Sequence, residues 1–298
     1  VRWLAEPGGE AGRAYLAGRG LDEQTIAAFG IGWSGPRGAL AQDLPITKLV
    51  EAGLMYRREE DGVAVDFFRD RIMFPIRDQA GRVVSFGGRT LGDAQPKYIN
   101  GPETAVYAKR RMLYGLDKAR EAFRLGKPLI VVEGYLDVIA MHSVGETGTV
   151  APLGSALTDE QLDELWRLSP APILLFDGDA AGQRATGHVM EIALPKLAAQ
   201  RTLQICTLEA GDDPDGLLKR AGVAALRLVL DGARPLVAAL AEALRPAESG
   251  RLALAVWRNR IGLAADMIQD AAVCQDHRRA LLNFYFEQVG EQWTSTAA

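Results

Sequence analysis

A repeated pattern of short apolar segments that end in acidic residues constrains the fold of this 298-residue chain most strongly. Residues 129–132 and 173–176 are typical of strands buried on both faces of a parallel sheet. Similar segments lie near residues 147–151 and at residues 203–208, and the stretches between them have helical spacing. Four parallel strands joined by helices form a Rossmann-like layer, so we predict an α/β fold.

The acidic residues that follow these segments are predicted to meet at one edge of the sheet. Glu133 follows the first segment, and Asp177 and Asp179 follow the third. Ligands of open α/β sheets bind at the carboxyl ends of the strands. Like charges held close together either take up a proton or bind a cation. Carboxylates with no His or Cys nearby favour Mg²⁺ or Mn²⁺, so the sequence predicts a divalent-metal site for phosphate chemistry.

Three further aspartates lie near this predicted site. Asp137 is one helical turn beyond Glu133, and Asp213 and Asp215 follow the fourth apolar segment. A pair of aspartates around a proline is, by itself, more often the start of a helix than a metal site. An EF-hand calcium site is excluded because the residues after Asp179 lack the spaced oxygen ligands and the final Glu of that loop.

The composition is that of a soluble globular protein, with 48% hydrophobic and 24% charged residues and a net charge of −4. No apolar run is long enough to span a membrane and no signal peptide is visible, so we expect no membrane partner. Cys206 and Cys274 lie far apart, which excludes a disulfide framework and a zinc ribbon in this stretch. Two isolated cysteines fit a reducing cytoplasm.

Positive charge collects between residues 67 and 111, where nine basic and four acidic residues give a local charge of +5. Aromatic residues are interspersed among the basic ones. Such a segment suits a groove that follows a phosphate backbone and stacks bases. A solvated sheet face with ordinary ion pairs explains the same pattern equally well.

Several motifs resemble those of bacterial DnaG-type replicative primases. The Glu-Gly-Tyr-x-Asp motif at residues 133–137 and the Asp-Gly-Asp motif at residues 177–179 resemble the Toprim fold. The upstream stretches narrow the resemblance to the primase family, and in order they are residues 68–78, 81–83, 86–89, 96–100, 102–104 and 113–116. The resemblance extends over about residues 10–220.

The resemblance implies an architecture of three parts. They are a mixed α+β N-terminal lobe with a basic groove (residues 1–120), a Toprim parallel sheet that binds metal (121–216) and a C-terminal helical bundle (217–298). It also implies RNA primer synthesis on single-stranded DNA from ribonucleoside triphosphates, with two or more Mg²⁺ or Mn²⁺ ions and a bacterial replisome location. The family's zinc-binding and helicase-binding modules do not lie in this stretch, so no zinc is expected here and the replicative helicase would bind elsewhere.

The residues that carry these roles follow from the family's motifs. The resemblance implies that Glu133, Asp177 and Asp179 are catalytic metal ligands, supported by Asp137, Asp213 and Asp215. It implies template or nucleotide contacts for seven residues: Arg19, Arg69, Arg89, Lys97, Tyr98, Asn100 and Lys109. Phe67 replaces a family arginine, so one phosphate contact is expected to be lost.

Two other functions stay open from the sequence. A Toprim nuclease would use the same metals for hydrolysis, although the primase-like motifs count against it. A topoisomerase-like enzyme would need a nucleophilic tyrosine, and Tyr135 is poorly placed for that role. A single-strand-binding module with an inert acidic cluster is the non-enzymatic alternative, and it would bind DNA without regard to Mg²⁺.

Overall fold

A computed structural model describes residues 1–154 and 156–296. The first part of the chain contains a four-stranded and a two-stranded sheet with short helices beside them. In chain order its elements are α1 (Arg2–Ala5), α2 (Glu10–Gly18), α3 (Glu23–Phe29), β1 (Gly32–Trp33), α4 (Leu40–Asp43), α5 (Ile46–Glu51), β2 (Met55–Arg57), β3 (Ala64–Asp66), β4 (Arg71–Arg77), β5 (Val83–Thr90) and β6 (Tyr98–Asn100).

The predicted hairpin around residues 78–81 is confirmed as the centre of the larger of these sheets. β4 and β5 pair antiparallel over most of their length, and the order of the sheet is β1-β4-β5-β6. Asp78 closes the turn by accepting hydrogen bonds from the N–H groups of Ala80 and Arg82, both at 2.9 Å. Gly81 has φ of 79°, a left-handed conformation that glycine adopts without steric cost.

The second part of the chain alternates strands and helices and ends in helices. Its elements are β7 (Leu113–Tyr114), α6 (Leu116–Arg124), β8 (Ile130–Val131), α7 (Tyr135–Ser143), β9 (Thr149–Pro152), α8 (Asp159–Leu168), β10 (Ile173–Leu175), α9 (Ala180–Ala193), β11 (Gln204–Cys206), α10 (Pro214–Asp231), β12 (Arg234–Pro235), α11 (Leu236–Ala243), α12 (Arg251–Asp266) and α13 (Ala271–Thr296).

The described residues of this part form one sheet in the order β12-β11-β10-β8-β9-β7. β8 pairs parallel with β9 and β10, and β10 pairs parallel with β11, so the four predicted parallel strands are confirmed. The antiparallel edge strands β7 and β12 were not predicted. Each has only two residues, and so short a segment has no recognisable alternation.

The sheet separates two hydrophobic cores, because successive side chains of a strand point to opposite faces. Ile130, Val132 and Leu175 belong to the core shared with α7, α10 and the N-terminal sheet. Val131 and Phe176 belong to the core shared with α8, α9 and the C-terminal helices. The predicted α/β fold with a mixed N-terminal lobe, a parallel sheet and a helical C-terminal part is therefore confirmed.

The predicted division of the chain at residues 120 and 216 stays a prediction, and its last two residues, 297 and 298, lie outside the described part. α10 runs across the second boundary and continues to Asp231, with a kink at Gly222. Within the described residues, no helix combines the length and the apolar character that a membrane span requires.

Candidate active site

The carboxyl ends of β8 and β10 bring two predicted catalytic residues into contact. Glu133 follows β8, and its Oε1 accepts a hydrogen bond of 2.8 Å from the backbone N–H of Asp177, which follows β10. Gly182 in the first turn of α9 allows this close approach, since a Cβ there would lie 2.8 Å from the same Glu133 oxygen. The Glu133 side chain thereby holds two adjacent strand ends together.

The carboxylates at this edge repel one another. Burial, followed by repulsion from Glu133, Asp213 and Asp179, raises the pKa of Asp177 to about 7. Burial, followed by repulsion from Asp177, Asp213 and Asp215, raises the pKa of Asp137 to about 8. Burial also raises the pKa of Glu133. Charge density of this kind is relieved by protons or by a cation.

Asp179 and Asp213 each use one oxygen to begin a helix. Asp179 Oδ1 accepts hydrogen bonds from the N–H groups of Ala181 (2.7 Å) and Gly182 (2.8 Å) at the start of α9. Asp213 Oδ1 accepts one of 2.5 Å from the N–H of Gly216 at the start of α10. N-terminal caps of this kind fix the position of a carboxylate and leave its second oxygen available.

The donor set fits a hard divalent cation. Asp177 Oδ1 is buried and has no hydrogen-bond partner within the described residues, and its neighbours are carboxylates. Mg²⁺ and Mn²⁺ prefer such oxygens. Across the part of the chain that the structure describes, however, no three acidic, histidine or cysteine side chains lie close enough to enclose an ion. The number of ions and the full ligand set therefore stay predictions.

Asp215, a predicted supporting ligand, is instead ion-paired in this structure. Its Oδ2 accepts hydrogen bonds from Arg19 Nη1 at 3.1 Å and from Lys219 Nζ at 2.6 Å. The Asp215 side chain is only 9% exposed. Arg19 belongs to the N-terminal lobe, just after α2, so this ion pair joins the lobe to the acidic edge of the sheet.

We expect Asp215→Asn to lower the free energy of unfolding by about 1–3 kcal/mol, because a buried carboxylate that neutralises two cations is costly to remove. Urea unfolding in the presence of chelator measures this effect without any contribution from metal. Asp276→Asn is the matched control, since Asp276 forms an exposed pair with Arg279 and exposed pairs contribute little. Equal stability of the two variants would contradict the structural role of Asp215.

Tyr15 connects two of the predicted nucleotide-binding residues. Arg89 lies over the Tyr15 ring with its guanidinium carbon 4.1 Å from the ring centroid. Arg19 Nε donates a hydrogen bond of 3.1 Å to the Tyr15 hydroxyl. Tyr98 lies beside Arg89 on the neighbouring strand β6, and its ring centroid is 5.7 Å from the guanidinium carbon of Arg89. Sequence reasoning missed Tyr15, although its spacing of four residues from Arg19 on a helix places both on one face.

The other three basic residues with predicted template or nucleotide contacts lie on the surface of the N-terminal lobe. Arg69 is exposed and donates a hydrogen bond of 2.9 Å to the Tyr56 hydroxyl. Lys97 is exposed and its ammonium group has no partner within the described residues. The Lys109 side chain lies against Gly154, where a Cβ would be 3.0 Å from its Cε. Phe67, where the family resemblance led us to expect a lost phosphate contact, packs edge-on against Phe68 with ring centroids 5.0 Å apart.

Asn100, a predicted nucleotide contact, has both ends of its side chain occupied. Its amide oxygen accepts a hydrogen bond from the Tyr135 hydroxyl, and its amide nitrogen donates to the carbonyl of Leu153. The Tyr135 ring stacks on Phe74 with centroids 5.1 Å apart. Gly87 makes room for the hydroxyl, since a Cβ there would lie 2.6 Å from it. In this structure Asn100 and Tyr135 join the N-terminal sheet to α7, a role the sequence did not reveal.

Two family models match the chain. The DNA primase catalytic core, N-terminal domain, matches residues 2–120, and the Toprim domain matches residues 127–206. A crystal structure of a DNA primase domain from Pseudomonas aeruginosa is 36% identical, with a TM-score of 0.87, and covers 97% of this chain and 94% of its own. A DnaG primase catalytic domain bound to ssDNA is 34% identical, with a TM-score of 0.84, and covers 95% and 91%.

Curated relatives are longer than this chain. A DNA primase of Pseudomonas aeruginosa is 40% identical over 239 residues, which are 78% of this chain and 36% of the relative. A DNA primase of Deinococcus radiodurans is 45% identical over 226 residues, which are 73% of this chain and 39% of the relative. The chain therefore spans little more than a third of the length of these relatives.

Proposed function

Because the chain belongs to the family of DnaG-type primase catalytic cores, we propose that it carries the polymerase activity of a primase. The activity is RNA primer synthesis on a single-stranded DNA template from ribonucleoside triphosphates. The observation that carries this proposal is the contact between two surfaces of opposite charge. The ion pair of Arg19 with Asp215 holds the basic lobe against the acidic edge of the sheet. Within the lobe, Tyr15 bonds to Arg19 and lies under Arg89.

The metal ligands we propose are Glu133, Asp177 and Asp179, with Asp137 and Asp213 nearby. Bound Mg²⁺ or Mn²⁺ would activate the primer 3′-hydroxyl and neutralise the triphosphate in an in-line displacement. The protein's own contribution is to position the carboxylates. Helix caps orient Asp179 and Asp213, and the contact of Glu133 with the Asp177 backbone sets the distance between two strand ends.

The template and the incoming nucleotide are proposed to lie along the basic lobe. Arg69, Lys97 and Lys109 supply positive charge there, and the partly exposed ring of Tyr98 is available for stacking on a base. Arg19, which pairs with Asp215 at the acidic edge, and Arg89, which contacts the same Tyr15 as Arg19, would contact the triphosphate. For Asp215 we propose a positioning role, in which it holds Arg19 at that edge.

Lys97→Ala is expected to weaken binding of single-stranded DNA several-fold and to lower the slope of log K against log [salt] by roughly 0.7, because one phosphate contact is lost. Fluorescence anisotropy of a labelled oligonucleotide at several salt concentrations measures both quantities. Lys48→Ala is the control, since Lys48 is exposed on α5 and pairs with Glu51. Unchanged affinity and slope in Lys97→Ala would place the template elsewhere.

Incorporation of labelled ribonucleotides on single-stranded DNA tests the proposed function directly. The reaction is run with Mg²⁺, Mn²⁺ or chelator, and with a pre-annealed primer as a second substrate. Metal-dependent RNA product is expected. Degradation of the template would favour the nuclease alternative, and DNA binding that ignores both metal and the acidic residues would favour the binding module.

The partners of the whole protein are proposed on the same grounds. The substrates would be ribonucleoside triphosphates, the product an RNA primer, and the location the bacterial cytoplasm at the replisome. We also propose a replicative helicase as a partner, bound through the separate helicase-binding domain that the family resemblance implies.

A further inference from the structure

A buried arginine bonds to the segment that carries several of the predicted template contacts. Arg71 is the first residue of β4 and is only 7% exposed. Within the described residues its guanidinium is paired with no carboxylate, and burial lowers the pKa of this group. A buried charge without a counter-ion destabilises a fold unless hydrogen bonds satisfy it.

Three backbone carbonyl groups satisfy the Arg71 guanidinium. Its Nη1 donates hydrogen bonds of 3.1 Å to the carbonyl oxygens of Gly88 and Lys97, and its Nη2 donates one of 3.1 Å to that of Pro96. The planar guanidinium holds its donors in fixed directions, so it links β5 to the segment that leads into β6. Gly88 leaves room for this arrangement, since a Cβ there would lie 3.0 Å from Arg71 Cδ.

The segment held in this way is short and lies at the edge of its sheet. β6 consists of Tyr98–Asn100 and follows β5 as the last strand in the order of the four-stranded sheet. Lys97 directly precedes it, and its carbonyl oxygen also accepts a hydrogen bond of 3.0 Å from the N–H of Thr90. The predicted template or nucleotide contacts of Lys97, Tyr98 and Asn100 therefore all depend on one short edge segment. An edge strand has a neighbouring strand on one side only, so the Arg71 hydrogen bonds add to what fixes it.

The residue before Arg71 has an unusual backbone conformation. Asp70 has φ of 51°, in the left-handed region that favours glycine, and it is exposed. Asp tolerates this region better than most residues, but the conformation still destabilises the fold. Strained backbone persists where the surrounding structure requires it and is frequent at functional sites. Two destabilising features, the strain at Asp70 and the unpaired charge of Arg71, thus lie next to each other in the basic lobe.

We propose that Arg71 is a positioning residue for template binding. Its guanidinium fixes the backbone of Pro96 and Lys97, and thereby the side chains of Lys97 and Tyr98. The inference rests on the proposed function, in which these two side chains contact the template. Arg71 is too buried to contact a phosphate itself, so it acts through its neighbours. Lysine at this position would keep the charge but not the planar fork, and it should not replace arginine.

Amide hydrogen exchange tests the positioning role without DNA. In Arg71→Lys, the amide hydrogens of residues 98–101 are expected to exchange several-fold faster than in the unmodified protein, because the edge strand opens more readily. The amides of residues 204–206, in the other sheet, should keep their rates. Arg77→Lys is the matched control, since Arg77 lies at the other end of β4 and donates a hydrogen bond to the carbonyl of Gly81. Equal rates at residues 98–101 in the two variants would contradict the proposal.

A double-mutant cycle with Lys97→Ala tests the link to the template, with anisotropy of labelled single-stranded DNA as the measurement. Arg71→Lys should weaken DNA binding at least as much as Lys97→Ala does. Adding Lys97→Ala to Arg71→Lys should weaken it by less than about twofold further, because the Lys97 contact is already lost. Combined with Arg77→Lys, the Lys97→Ala substitution should keep its full several-fold effect. A merely structural role of Arg71 would make the two effects additive.

The outcomes separate this inference from the proposed function. If the unmodified protein does not bind single-stranded DNA, or if Lys97→Ala binds it unchanged, the proposed template site is wrong and the inference with it. If Lys97→Ala weakens binding and its effect adds in full to that of Arg71→Lys, the inference alone is wrong. If Arg71→Lys does not fold, the NMR signals of the Arg71 guanidinium in the unmodified protein decide. Separate signals for the two Nη groups that exchange slowly with water are expected, and one averaged signal in fast exchange would overturn the proposal.

Discussion

Asp177→Asn is expected to reduce ribonucleotide incorporation by roughly 10³-fold or more and, at the same time, to make the metal-free protein more stable at pH 8. Activity is lost because the substitution removes a charge that we propose holds the catalytic metal. A 10³-fold loss corresponds to about 4 kcal/mol of transition-state stabilisation. The gain in stability follows from removing a carboxylate that its neighbours repel.

The direction of the pH dependence follows from the pKa of Asp177. Burial and the nearby carboxylates raise it to about 7, whereas an unfolded chain has an ordinary Asp pKa of about 3.9. The folded state therefore binds the proton more tightly, and the stability that this gives is complete below about pH 4 and is lost as the pH rises towards 7. We expect Asn at this position to be more stable by about 1–2 kcal/mol at pH 8, less than the full shift implies because solvent screens a half-buried carboxylate.

Thermal melting of the unmodified protein and of Asp177→Asn, in EDTA between pH 4 and pH 8, measures this effect. The difference in melting temperature should be a few degrees at pH 8 and should vanish near pH 4. Asp93→Asn is the control, since Asp93 is exposed and lies outside the acidic edge. A stability difference that is the same at both pH values would show that repulsion among the carboxylates is not the cause. Incorporation assays on the same samples separate the loss of activity from any loss of folded protein.

Gly182→Ala is expected to destabilise the protein by about 2–3 kcal/mol and to lower incorporation by roughly a hundredfold or more, because the new methyl group has no room. Its Cβ would lie 2.1 Å from the carbonyl oxygen of Asp177 and 2.8 Å from Glu133 Oε1. The backbone after β10 must then move, and this backbone carries the proposed ligands Asp177 and Asp179.

Gly187→Ala, five residues further along the same helix, is the matched comparison. Its Cβ meets open space, so we expect a gain of about 0.5–1 kcal/mol from helix propensity and unchanged incorporation. Urea unfolding of both variants measures the contrast. A gain in stability at both positions would mean that the strand end tolerates movement and that the contact between Gly182 and Asp177 does not position the site.

The parallel sheet and its acidic edge were accessible from the sequence because they depend on local patterns. Apolar runs at residues 129–132 and 173–176 end in carboxylates, and strands of this kind can only be buried on both faces. The order of the strands brings Glu133 beside Asp177, as the sequence predicted. Burial and charge then account for the raised pKa values.

The hydrogen-bond and ion-pair partners of the site residues could not be predicted from the sequence, because they come from distant parts of the chain. Asp215 and Arg19 are 196 residues apart, and no local pattern signals their ion pair. The nucleotide contact of Asn100 stays a prediction, and its hydrogen bond with Tyr135, in the motif that supplies Glu133, has no local signal in the sequence. Only the packing of the N-terminal sheet on α7 brings these residues together.

The position of the parallel strands between two hydrophobic cores has a consequence for the order in which the molecule opens. Amide hydrogens exchange with solvent only when the structure around them unfolds, and regions differ in the free energy that this requires. Loss of the C-terminal helices would uncover one face of β8 and β10, and loss of the N-terminal lobe would uncover the other. We therefore expect the backbone amides of these two central strands to exchange last, so the strands that carry the proposed catalytic carboxylates would be the most stable part of the fold.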